Sequence, residues 1–281
     1  METRTMTLEQ IASYEKTLRL EERCEATVQK YVGAATAFLD FLPEGKSVTR
    51  ELALAWKAEI SAKNAASTVN VMLSAVNRFF AFMSWDDIRM KRIKTQRRIF
   101  RDRDRELTKA EYLRLLDAAR KRGNPRLYYL TQTLAATGMR VSELRFVTVE
   151  SLRNGNTVVD CKGKRREILI PKNLRVKLLA YCKDMGIASG SVFVTRSGKP
   201  LNRSNIWREL QGLCDDARVD RRKVFPHNFR HLFAVTFYRA EKDIAKLADL
   251  LGHASINTTR IYIMESGAEH ERRIERLSLV V

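Results

Sequence analysis

The segment from Arg89 to Arg105 constrains this chain more than any other. It carries Arg89, Lys91, Arg92, Lys94, Arg97, Arg98, Arg101, Arg103 and Arg105, and no sustained apolar period. Such a stretch has no face to bury, so it cannot run through a core. The chain is therefore expected to form two bodies, residues 1–88 and 107–281, joined by a linker over 89–106. The charge divides in the same way. Of a formal net charge of +19, residues 1–88 carry −2, residues 89–106 carry +6 and residues 107–281 carry +15. A basic body reached through a basic connector calls for a polyanionic partner, most simply nucleic acid, with counterions released from each neutralised phosphate.

Several classes drop out. An apolar content of 44% is too high for a disordered chain. No stretch reaches the ~18–20 uninterrupted apolar residues of a membrane span, and Met1-Glu2-Thr3-Arg4 leads into no apolar signal core. Cys24, Cys161, Cys182 and Cys214 lie far apart without a CxxC pair, against a zinc ribbon or a disulfide framework. A reduced, cytoplasmic setting with no membrane association is expected.

The first 88 residues read as four helices. Thr7-Leu8-Glu9-Gln10 has capping-box spacing and precedes Ile11, Tyr14 and Leu18. Apolar stripes follow at Val28, Tyr31, Val32, Ala35, Phe38 and Leu39, at Leu52, Trp56 and Ile60, and at Val69, Met72, Leu73, Val76, Phe79, Phe80 and Met83. These stripes are core, and this body carries no evident chemistry. In the second body Thr108 and Glu111 form a capping box, with Leu107 and Tyr112 as a hydrophobic staple. A helix from Pro125 is expected to stop at Gly138. Thr157–Cys161 and Glu167–Ile170 read as two strands joined by a basic tip, Lys162-Gly163-Lys164-Arg165-Arg166. Helices are expected near 172–185, 203–217, 228–240 and 242–251, with a charged tail helix at about 268–278. The expected class is mainly α, with a small β-sheet in the second domain.

Three short motifs carry the chemistry. They are Ala136-Thr137-Gly138-Met139-Arg140-Val141-Ser142-Glu143-Leu144, then Pro226-His227-Asn228-Phe229-Arg230-His231, then Leu251-Gly252-His253-Ala254-Ser255-Ile256-Asn257-Thr258-Thr259-Arg260-Ile261-Tyr262. Guanidinium groups bind phosphate oxygens bidentately and offset the charge that builds there. Histidine donates to phosphate or moves a proton near neutral pH. A tyrosine hydroxyl attacks phosphorus once it is activated. His227 and His231 stand at i and i+4, a spacing metal sites use, but no glutamate follows His227 and Arg230 would set a positive charge beside the ion. No metal and no cofactor is expected.

These motifs, in this order, resemble the boxes of the tyrosine recombinases of the phage-integrase family, and the likeness spans nearly the whole chain. It implies a SAM-like helical-bundle core-binding domain over 1–88 and an α+β catalytic domain over 107–281, clamped on double-stranded DNA. It further implies that Tyr262 attacks the scissile phosphate, forming a 3′-phosphotyrosyl link and freeing a 5′-hydroxyl. Arg140 and Arg230 would clamp the phosphate oxygens, His227 would act as acid or base, and His253 would hydrogen-bond the phosphate. Glu143 would orient the site, with His231 in a supporting or packing role. The family's hairpin lysine protonates the leaving 5′-oxygen. Lys162 fits best because Gly163 follows it, although Lys164 or Arg165 could reach instead. Phe229 stands where leucine is commoner, a change of packing.

Lys91, Arg92, Lys94, Arg97, Arg98, Lys164 and Arg165 are the expected DNA-backbone contacts. The resemblance implies a homotetramer on two DNA sites, with accessory directionality proteins a further expectation. The tail beyond Tyr262 is expected to dock on a neighbouring protomer. With the bundle starting close to Met1, a two-domain Xer-like recombinase is favoured over integrases that carry an additional arm-binding domain. Two alternatives share the scaffold: a sequence-specific DNA-binding protein without cutting activity, and a type IB topoisomerase-like enzyme that relaxes supercoils.

Overall fold

The computed structural model describes residues 4–94, 103–161, 164–195, 197–263 and 275–276. Among the described residues the chain is mostly helical, with one two-stranded sheet, and it divides into two compact units, Met1–Arg97 and Arg98–Val281. Among the described residues no helix is long and apolar enough to cross a membrane.

The first unit is built from α1 (Leu8–Leu20), α2 (Glu25–Phe41), α3 (Arg50–Lys63) and α4 (Ala66–Phe82). Thr7 and Gln10 close the expected capping box, each side chain accepting from the other's backbone N–H at 3.2 and 3.0 Å. The stripes meet in one core, where Phe38 packs edge-on against Trp56 and Phe80, and Tyr14 against Phe79. Burying an aromatic of this kind contributes about 1.5–3 kcal/mol. Beyond α4 the chain stays on the bundle. Asn77 accepts from the Met90 N–H at 2.9 Å and donates to its carbonyl at 2.8 Å, and Asn70 does the same for Ile93 at 2.8 and 3.0 Å. Ile88 and Met90 are buried. The linker expected from residue 89 thus starts later, because two asparagine side chains act as the hydrogen-bonding partner of an extended segment.

The second unit opens with α5 (Lys109–Lys121), held by the Thr108–Glu111 capping box, and α6 (Pro125–Thr137), which ends on a left-handed Gly138. A 3-10 segment, Val141–Phe146, and the short α7 (Val149–Asn154) lead to β1 (Asn156–Cys161) and β2 (Lys164–Leu169). The strands are antiparallel, with Cys161 opposite Lys164 and Asn156 opposite Leu169. Strand β2 therefore begins three residues earlier than the sequence suggested, and Arg165 and Arg166 lie in the strand. Then come α8 (Lys172–Asp184), α9 (Arg203–Gly212), α10 (Cys214–Ala217), α11 (Pro226–Glu241), α12 (Ile244–Leu251) and α13 (Ile256–Ile263). The helix expected over 203–217 is broken between α9 and α10.

Leu115, Leu130, Leu134, Met139, Leu178, Phe193, Leu210 and Phe229 are central to the second core. Phe229 is fully buried and meets Tyr112 edge-on at 6.4 Å. Residues 103–106, assigned above to the linker, belong to this unit, where Asn228 Nδ2 donates to the Arg105 carbonyl at 2.7 Å. A separate apolar cluster of Ala234, Leu247, Leu251 and Tyr262 holds α12 and α13 against α11. Of the candidate site residues named from sequence, Lys162, Arg97 and Arg98 lie outside the described part. So does the tail, apart from Glu275 and Arg276, and so does the side chain of Lys164.

Candidate active site

The three motifs converge in the second unit. Helix α6 stops at Gly138, whose φ of +61° is a conformation side-chain-bearing residues rarely adopt. A Cβ there would also lie 2.4 Å from Phe233 Cδ1. Freed at the helix end, the Gly138 carbonyl accepts from Arg230 Nη1 at 2.6 Å. Two residues on, Arg140 turns back on Glu143: its backbone N–H donates to Oε2 at 2.6 Å and its Nη1 to Oε1 at 3.0 Å. Glu143 is 2% exposed, while the Arg140 side chain is 44% exposed and faces a cleft.

Helix α11 begins at Pro226, which suits the first helical position. It turns His227, Arg230 and His231 to one side, the i, i+3, i+4 set, and sends Phe229 into the core. Arg230 is 2% exposed; Nη2 donates to the Leu251 carbonyl at 2.7 Å and to His253 Nε2 at 2.8 Å. A guanidinium only donates, so Nε2 accepts there, and Nδ1 carries the proton given to Thr259 Oγ1 at 2.9 Å.

Tyr262, 6% exposed on α13, is boxed by three imidazoles. It stacks on His253 at 5.5 Å and 17°, and lies 5.4 Å from the His227 ring and 5.6 Å from His231. Its hydroxyl is 3.3 Å from His227 Nε2. Burial, then the charges of Arg230 and Arg140, lowers the pKa of His227, and the same causes push His253 down to about 4. Both rings are therefore neutral at pH 7, and His227 has a lone pair for the phenolic proton. Burial also lowers Arg230, which stays charged. Burial pushes the Glu143 carboxyl up, but the bonds from Arg166 and Arg140 more than reverse this and hold it below the usual carboxylate range.

A cleft of about 730 Å³ opens beside this cluster, lined by Arg140, His227 and Arg230 and by Arg203, Trp207 and Arg208 of α9. Four guanidinium groups and a half-exposed indole make a wall suited to a polyanion that also carries flat rings. Among the described residues no group of His, Cys, Asp or Glu is arranged to hold a metal ion.

Arg140, Glu143, His227, Arg230, His231, His253 and Tyr262 are thus brought together. Lys91, Arg92 and Lys94 are exposed in the first unit, and Arg165 is exposed on β2 opposite Asp160. Two residues that the motifs do not single out join the cluster. Thr259 is fully buried against His253. Arg166 donates from Nη2 and Nε to Glu143 at 2.5 and 3.2 Å. Strand alternation carried the signal for Arg166: counting back by two from buried Ile170 and Ile168 puts it on the inner face.

Known proteins resemble this chain in both sequence and fold. The family model described as "Phage integrase family" matches residues 105–269, and "Phage integrase, N-terminal SAM-like domain" matches residues 11–87. The tyrosine recombinase XerA of Pyrococcus furiosus is 30% identical over 99% of this chain and 96% of its own length. The tyrosine recombinase XerC of a Roseiflexus species is 32% identical over 70% of this chain and 68% of its own. Among solved structures, lambda integrase residues 75–356, a dimer bound to a COC′ core site, superimposes with a TM-score of 0.76 at 19% identity, covering 93% of this chain and 97% of that one. XerH bound to its difH substrate gives 0.72 at 18% identity, covering 98% and 85%. The catalytic-family match takes in more than half of the residues, three of which form the boxed tyrosine's imidazole wall, and the chain belongs to the phage integrase family of tyrosine recombinases.

Proposed function

We propose that this protein is a site-specific DNA recombinase that cuts and rejoins duplex DNA through Tyr262. The observation that carries the reading is the placement of the Tyr262 hydroxyl, 3.3 Å from a neutral His227 and stacked on His253, within the unit that holds Arg140 and Arg230. In the reaction Tyr262 Oη attacks the scissile phosphorus and its proton passes to His227. The bond from phosphorus to the 5′-oxygen breaks, and that oxygen takes a proton and leaves as a hydroxyl. Arg140, Arg230 and His253 hold the non-bridging oxygens, where charge accumulates. Lys162 is assigned the leaving-group proton. One phosphodiester is exchanged for a phosphotyrosine ester of similar energy, so resealing by another strand's 5′-hydroxyl is the same step reversed.

The first unit serves as a second DNA-binding arm, supported by its match to the SAM-like integrase domain. Lys91, Arg92, Lys94, Arg97 and Arg98 contribute contacts to the phosphate backbone, and Lys164 and Arg165 add to them from the hairpin. Four protomers act on two DNA sites; lambda integrase, which shares the fold, has been seen as a tetramer on a Holliday junction. The working compartment is the one that holds the DNA, the cytoplasm of a cell without a nucleus. The test is a duplex nicked next to the scissile phosphate, so that the freed fragment diffuses away and the covalent complex is trapped. The parent protein traps; Tyr262→Phe binds the same duplex and traps nothing. Adduct formation by Tyr262→Phe would refute the assignment.

A further inference from the structure

Arg166 belongs to none of the three motifs, yet its guanidinium is engaged on every side. Nε and Nη2 donate to the two oxygens of Glu143, Nη1 donates to the Leu250 carbonyl at 2.9 Å, and the side chain is 15% exposed. Its stem lies so close to Gly252 that a Cβ there would sit 2.5 Å from Arg166 Cδ. The bond to Leu250 is one of three in a row. Leu250, Leu251 and Gly252 present successive carbonyls at the C-terminal end of α12, and these accept from Arg166, Arg230 and Arg140 respectively. Carbonyls at a helix C-terminus lack intrahelical partners and carry its partial negative charge. Three guanidinium groups are thereby ranged along one helix end.

Glu143 links the outer two. Oε1 accepts from Arg140 Nη1 and Arg166 Nε, and Oε2 from the Arg140 backbone N–H and Arg166 Nη2. Without Arg166, a buried carboxylate would have Arg140 as its one bonded countercharge. Arg140 holds Gly252 only at 3.4 Å and has room to move. The strong, bidentate arrangement would then be guanidinium on carboxylate, which draws Arg140 out of the cleft.

We propose that Arg166 is a positioning residue for the phosphate clamp: it shares the Glu143 carboxylate and ties it to the end of α12, so that the Arg140 guanidinium stays turned to the phosphate. This rests on the reading above, in which Arg140 binds the scissile phosphate. The charged and titratable groups about Glu143 are Arg140, Arg166, and beyond them Arg230 from α11 and His253 after α12. Removing Arg166 leaves burial opposed chiefly by Arg140, so Glu143 takes up its proton at a higher pH than before.

The experiment compares Arg166→Met, Arg166→Lys, Glu143→Gln and the Met/Gln double variant with the parent as full chains. Cleavage of the nicked duplex is followed at saturating DNA across pH, with melting curves as a check of folding. Arg166→Met slows cleavage roughly 100-fold, the scale for a displaced positioning group, and its acid limb moves to higher pH. Arg166→Lys keeps the charge without the planar fork and recovers part of both effects. In the double variant the losses do not multiply, because Arg166 acts through Glu143. A folded Arg166→Met that cleaves at the parental rate, an unmoved acid limb, or multiplied losses overturns the proposal. If Arg166→Met does not fold, the Arg166→Lys profile decides: a limb moved to higher pH supports the role and an unmoved one refutes it. Absence of adduct with the parent protein would instead refute the reading of Tyr262 and Arg140.

Discussion

Thr259→Val changes a hydroxyl to a methyl with almost no change of shape, and the structure makes its consequence specific. In the DNA-free protein His253 Nε2 accepts from Arg230, so Nδ1 donates to Thr259. To hold a phosphate oxygen, His253 must instead present a proton on Nε2, which turns Nδ1 into an acceptor. A threonine hydroxyl serves both states, since it rotates to accept or to donate; valine serves neither. Thr259 is fully buried, so the missing bond has no replacement. A stranded buried polar group costs about 1–3 kcal/mol. In a unit of this size each kcal/mol lowers the melting temperature by roughly 2–4 °C. The same energy, missing when the phosphate is bound, slows cleavage roughly 5- to 150-fold at about 1.4 kcal/mol per decade. Single-turnover cleavage of the nicked duplex and calorimetry on the same samples measure both, and Thr259→Ser should restore both. Parental melting and cleavage in Thr259→Val would refute the tautomer argument, as would a serine variant no better than the valine.

Other expectations concern pH, the bundle and the connector. His227 and His253 both have pKa values below the ordinary 6.5, His253 at about 4, so the unfolded chain binds more protons than the folded one between those values. Stability should therefore fall as pH drops from 6.5 toward 4, and melting curves of His253→Gln should show a flatter dependence. Asn77→Ala strands the Met90 N–H and carbonyl and should destabilise the first unit by about 1–3 kcal/mol, read by denaturant melting of the full chain. Replacing Arg92 and Lys94 by Gln should weaken DNA binding and flatten its logarithmic salt slope by about 0.9 for each phosphate no longer neutralised, with the cleavage rate at saturating DNA unchanged.

The helices that pack by stripes were legible because burial leaves a period of 3.6 in the sequence, as at Val69, Leu73, Val76 and Phe80. Helix α13 was not, since Asn257, Thr258, Thr259 and the flanking isoleucines are poor helix formers; its place comes from Tyr262 packing on α11. The edges of the linker were hidden for a related reason. Asn70 and Asn77 sit within an apolar stripe, and an asparagine that pairs a distant backbone leaves no periodic trace. Within the cluster, Arg140, His227, Arg230, His253 and Tyr262 stood out because phosphoryl chemistry restricts which side chains serve. Arg166 was masked by its neighbours, since in the run from Lys164 to Arg166 the inward-facing arginine looks like the outward-facing one.

The arginine row also explains how two histidines so close to a nucleophile are kept ready. Arg140, Arg166 and Arg230 place three positive charges around His253, with Glu143 as the bonded carboxylate, and after burial these charges do most to keep that ring neutral. Arg230 and Arg140 act on His227 in the same sense. The condition reverses when a phosphodiester enters the cleft. Its negative charge offsets the guanidinium groups and raises the proton affinity of both rings. In the proposed reaction, His253 would then be a better donor to a phosphate oxygen, and His227 a stronger base beside the Tyr262 hydroxyl. The DNA itself thus completes the electrostatics of its own cleavage. Without DNA the same arginines are spent on the carbonyls of Gly138, Leu250, Leu251 and Gly252, which holds them in place before the phosphate arrives.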